Sequence, residues 1–109
     1  MLFPDYRGRR MRATPAFRQM IRETRLAPSD FILPLFAVEG KGVKRPIESM
    51  PGVFQLSLDH LVKEAKKALD AGVPAVILFG VPSSKDPLAT QAYAPDAIVA
   101  KAVNAVKEA

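Results

Sequence analysis

Clustered arginine is the first chemistry this sequence offers. Arg7, Arg9, Arg10 and Arg12 stand within one short run, and guanidinium groups at that density neutralise phosphates or carboxylates. No aromatic residue is interleaved with the run to stack on bases, and the positive charge falls off downstream, so spacing alone leaves two partners open: RNA or the acidic face of a protein. With 0 Cys and a single His, disulfides, thiolate metal sites and a cysteine nucleophile are excluded, and little is left to hold a metal. His60 has no second ligand nearby and reads as a solvent-facing helix position. Ser83 and Ser84 have no local base and read as turn residues. Neither Gly40-Lys41-Gly42 nor Gly80-Val81-Pro82-Ser83-Ser84-Lys85 has the glycine spacing of a nucleotide cradle. Lys63, Lys66, Lys67, Lys101 and Lys107 fall on helices at spacings that put most of them in water. None is embedded in an apolar strand end, where desolvation would lower the pKa toward that of a Schiff-base nucleophile. Glu39 and Phe79 are the residues left to weigh, because they close two apolar strands at the end where parallel α/β folds place their sites. Glu39 reads first as a strand-terminating loop residue. Phe79, with Gly80 beside it, either lines a pocket or packs in the core.

The elements that must position these residues follow from patterning. Residues 1–30 carry seven Arg against three acids, a balance of +4 out of the chain's formal +5, so a basic arm precedes a nearly neutral body. Thr14-Pro15 is a helix start, with Thr as cap and Pro where its missing N–H costs nothing. The helix is expected to run to about Arg25, with Phe17, Met20 and Ile21 on one narrow apolar stripe. Phe31 to Val38 is an apolar run without alternation, which predicts a strand buried on both faces. Pro34 inside it requires an edge position, a bulge or an unpaired flank. Arg45 to Leu56 reads as a long loop with at most a short strand at 53–56. Ser57 then opens an amphipathic helix closed by Gly72, Pro74 to Phe79 is a second buried strand, Ser83 to Ala94 a polar loop, and Pro95-Asp96 the first turn of a last helix.

Strand, helix, strand, helix argues for right-handed parallel βα units. Two such strands leave open edges, which points to a missing remainder downstream, or to a chain that dimerises or packs as a small two-layer domain. The 109 residues, 49% of them hydrophobic and 25% charged, suit one globular unit with a modest core. No secretory signal and no apolar run of membrane-spanning length is present, so a soluble, cytoplasmic chain is expected.

Four motifs carry a resemblance. Arg9-Arg10-Met11-Arg12-Ala13-Thr14-Pro15-Ala16-Phe17-Arg18, Phe31-Ile32-Leu33-Pro34-Leu35-Phe36, Ser49-Met50-Pro51-Gly52-Val53 and Leu78-Phe79-Gly80-Val81-Pro82 with Lys85-Asp86, in that order and spacing, resemble the amino-terminal third of the 5-aminolevulinate dehydratases, also called porphobilinogen synthases. The resemblance implies an α/β fold in which residues 1–30 are an arm with a short helix and 31–109 are the first two βα units of an eight-stranded TIM barrel. A full barrel takes about 250 residues, so the chain is incomplete as one. The family condenses two molecules of 5-aminolevulinate into porphobilinogen, a tetrapyrrole and heme precursor, through two lysine Schiff bases and usually with zinc or magnesium. Its lysines and metal segment lie on later strands and match nothing here, so the chain alone is expected to be inactive and to bind no metal itself. The resemblance further assigns Arg9, Arg10 and Arg12 to arm contacts in a homo-oligomer rather than to nucleic acid, and Phe79 to the wall of the substrate pocket. The reading from another class remains a stand-alone basic module that contacts RNA or an acidic partner.

Overall fold

The computed structural model describes residues 2–109. A 3-10 turn at Arg10–Arg12 leads into α1 (Pro15–Met20), a second 3-10 turn at Pro28–Asp30 leads into β1 (Ile32–Val38), and β2 (Lys44–Pro46) and β3 (Phe54–Leu56) follow. Then come α2 (Leu58–Asp70), β4 (Ala75–Val81), the short α3 (Thr90–Tyr93) and α4 (Ile98–Glu108). Thr14 caps α1 as its position demands, its hydroxyl accepting the Phe17 N–H at 3.2 Å. The helix stops at Met20 rather than near Arg25. It buries none of its residues, and a helix this short without a packing partner has little to extend it.

The sheet has four strands in the order β2-β3-β1-β4. β1 and β4 run parallel over their whole lengths, from Ile32 opposite Ala75 to Val38 opposite Val81. β4 therefore continues through Gly80 to Val81, past the glycine expected to end it. The stretch 45–56, expected to be mostly loop, holds an antiparallel hairpin whose second strand joins β1 in parallel, but only at Phe36 and Ala37. Pro34 is accommodated for that reason: the flank of β1 beside it has no ladder partner that needs its missing N–H.

α2 and α4 cover one face of the sheet. Leu35, Ala37, Leu56, Leu61, Ile98 and Ala102 form the core between the two layers. α2 ends in a Schellman turn, with Gly72 at φ +92, its N–H on the Leu69 carbonyl at 3.0 Å and the Val73 N–H on that of Ala68 at 2.9 Å. α4 begins at Ile98, so Pro95 and Asp96 lie in the preceding turn and not in its first turn. The opposite face of the sheet is open: Ile32, Ile77 and Phe79 are 62%, 47% and 45% exposed. The expectation of strands buried on both faces is thus corrected to one buried face and one bare apolar face. The arm projects from the body, giving a Cα radius of gyration of 21.7 Å against about 13 Å for a compact chain of this length.

Candidate functional site

Both long strands end on the same side of the molecule, and the residues singled out from the sequence divide around that end. Phe79 is on the open face, where its ring stacks on Phe36 with centroids 5.4 Å apart and planes inclined by 22°. It is not core packing, since nearly half its surface is free. Glu39 follows β1 directly and sits 3.6 Å from Lys101 of α4. The two are both substantially exposed, so the pair is screened by water. His60, on α2, lies 3.9 Å from the Asp59 carboxylate and has no company of metal ligands: among the described residues no group of three or more His, Asp or Glu side chains could hold a cation.

Sequence reasoning passed over a cluster at the start of α2. Ser57 is fully buried and stands at the cap position, yet its hydroxyl does not cap the helix. It accepts the Val43 N–H at 3.0 Å and donates to the Asp59 carboxylate, which also receives the Gly42 N–H at 3.2 and 3.3 Å on its two oxygens. The Ser57 hydroxyl, followed by the Gly42 N–H and the neighbouring His60, holds the Asp59 carboxyl below its usual range. The visible signal was Ser-x-Asp behind a glycine-rich turn.

A cavity of about 420 Å³ opens beside the carboxyl end of β4, on the helix side of the sheet. Gly80, Pro82, Ala89, Ile98 and Val99 give it an apolar lining, and Lys85 and Asp86 stand at its polar part. Asp86 is occupied: it takes the Thr90 N–H at 2.8 Å and the Thr90 hydroxyl, and that hydroxyl is the main cause of its lowered pKa. These bonds organise the polar loop, which contains α3 in place of the expected irregular chain. Phe79 does not line this cavity, being on the other face of β4. Ser83 and Ser84 are exposed loop residues, as their setting suggested. All eight lysines of the chain are exposed, so none has the desolvated amine that imine chemistry needs.

The arm carries Arg9, Arg10 and Arg12 in and beside its 3-10 turn, all exposed. Arg18 of α1 donates to the Arg12 carbonyl at 2.9 Å, fastening helix to turn. Among the described residues no arm arginine is within ion-pair distance of an acid.

A family model described as Delta-aminolevulinic acid dehydratase matches residues 5–109. The chain is 54% identical over 108 residues to the delta-aminolevulinic acid dehydratase of Synechococcus elongatus, covering 99% of this chain and 33% of that protein. Against that of Methanothermobacter thermautotrophicus the identity is 46%, covering 99% of this chain and 34% of the relative. A crystal structure of the Toxoplasma gondii delta-aminolevulinic acid dehydratase (porphobilinogen synthase), in complex with the reaction product porphobilinogen, superposes with a TM-score of 0.84 at 37% identity. That superposition covers 94% of this chain and 30% of the other. The chain thus spans about a third of the length of the relatives it matches. Because the match runs through the arm as well as the body, the stand-alone RNA-binding module finds no support.

Proposed function

The chain belongs to the delta-aminolevulinic acid dehydratase family, and from that premise we propose that it is the amino-terminal portion of an enzyme that condenses two molecules of 5-aminolevulinate into porphobilinogen. Its own part is structural: residues 1–30 form the arm, and 31–109 supply the first two βα units of the barrel. The observation that carries this reading is the match of residues 5–109 to a third of each relative, together with a sheet that is bare on one face and open at β4.

The condensation needs amines that attack the substrate ketones, lose water and form imines, which then draw electrons from the carbon–carbon bond-forming step. Every lysine here is exposed to solvent, so that chemistry falls to residues outside this chain. The residues present also do not fit zinc or magnesium, since no three ligating side chains converge among those described; no step is assigned to a metal here. What the chain contributes to the pocket is a wall: Phe79, held upright by its stack on Phe36, lies at the carboxyl end of the sheet on the bare face. Arg9, Arg10 and Arg12, without acidic partners among the described residues, are assigned to contacts with a neighbouring subunit in a homo-oligomer. The exposed stripe of Phe17, Met20 and Ile21 would be covered in the same contact. Among the described residues no helix is long and apolar enough to cross a membrane; a cytoplasmic setting is part of this proposal.

The test is porphobilinogen formation from 5-aminolevulinate by this chain alone, and after mixing with the separately produced remainder of the Synechococcus relative, in zinc and in magnesium. Product only in the mixture is expected. Product from the chain alone would refute the assignment of the reactive amines to other residues, and none in either sample would remove structural completion as its role.

A further inference from the structure

The turn that follows β1 is fastened at both ends. Its first residue, Glu39, meets Lys101 of α4, and its last two, Gly42 and Val43, are bound to the start of α2. The Glu39 pair is exposed on both sides and contributes little, so the fastening rests on α2. There the buried Ser57 hydroxyl has one proton and spends it on Asp59, while its oxygen receives the Val43 N–H; the Ser57 N–H in turn donates to the Val43 carbonyl at 3.0 Å. Ionised Asp59 is an acceptor only, and it draws the Ser57 proton away from the Val43 carbonyl, the other acceptor within reach at 3.4 Å. A serine at a helix start would ordinarily accept from the helix's own first turn. Here it is withdrawn from capping and aimed at the turn instead. The turn has need of it, because Gly40 and Gly42 sit at φ +113 and +65, and glycine loses more freedom on ordering than any other residue.

We propose that Asp59, directly at Gly42 and through Ser57 at Val43, is a positioning residue that locks the Glu39–Val43 turn at the carboxyl end of β1, so that this end of the sheet, where Phe79 lies, is ordered before substrate arrives. That this end of the sheet meets substrate rests on the dehydratase reading; the lock itself does not.

Two measurements test it, each on Asp59→Asn and Ser57→Ala. In hydrogen exchange on the 109-residue chain at neutral pH, the Gly42 and Val43 amides are expected to exchange about tenfold faster or more, as loss of a charge-assisted bond implies, with the β4 amides unchanged. Unaltered exchange at the turn, or acceleration spread evenly over β4 and α4, would overturn the lock. In the reconstituted enzyme the same variants should raise KM for 5-aminolevulinate with kcat retained, because substrate then binds only the fraction of molecules in which the turn is closed. A faster turn with unchanged KM would overturn the positioning role. Should the wild-type mixture make no porphobilinogen, the dehydratase reading falls by itself, and the exchange experiment still decides the lock.

Discussion

At Gly80 there is no room for one more carbon. A Cβ built there would lie 2.4 Å from Val99 Cγ2 and 2.8 Å from Ile98 Cγ2, with the Val99 backbone nitrogen at 3.4 Å. The first turn of α4 is therefore seated directly on the β4 backbone, and this contact sets one wall of the cavity at the end of the strand. Gly80→Ala should displace α4 and cost about 1–3 kcal/mol, as overpacking of a filled site does. For a domain of this size that lowers the thermal midpoint by several degrees, roughly 4–8 °C per kcal/mol, read by circular dichroism. A midpoint within about a degree of wild type would show that α4 has slack. From the sequence this glycine looked like strand punctuation. Its actual constraint comes from two side chains about twenty positions downstream, which no local pattern encodes.

The long elements were legible, and of the two short strands only β3 was, as the short strand allowed at 53–56. α2 and α4 each bury a stripe, which the residue pattern records as a helical period, and β1 and β4 stand out as unbroken apolar runs. β2 and β3 have three residues each, too few for a period, and the run Lys44-Arg45-Pro46 is unlike a buried strand in every position. α1 shows the converse: an apolar stripe was present, but none of the helix is buried, and the helix ends after six residues. The family motifs reached further than periodicity, locating the barrel units, while the Ser57–Asp59 cluster stayed hidden because it depends on a turn folding back across 14 to 17 positions. The arm's independence is testable as an element. Removing residues 1–26 keeps Pro28, whose ring stands against Gly72, and deletes only segments with no buried residue. The unfolding midpoint of the remaining body should stay within about a degree of the intact chain. A clear drop would mean that the arm folds back on its own body in solution.

The molecule as a whole is a two-layer unit, helices on sheet, whose sheet is uncovered on its other face. Ile32, Ile77 and Phe79 present an apolar surface to water, of the kind that soluble monomers rarely leave bare. The isolated chain is expected to associate in a concentration-dependent manner, visible by sedimentation velocity, and Ile77→Lys should abolish this by placing a charge at the centre of the face. A wild-type chain that sediments as a monomer at every concentration would show that the face is tolerated by solvent.

The two rims of the sheet set how far such association can go. β2 places the exposed Lys44, Arg45 and Pro46 along one rim, a combination that rejects a further strand. β4 offers seven residues with neither charge nor proline along the other. Each copy thus has one dead end and one live end, and joining live end to live end uses up both. Copies that meet through β4 close as pairs, and no further strand can be added to them by edge pairing.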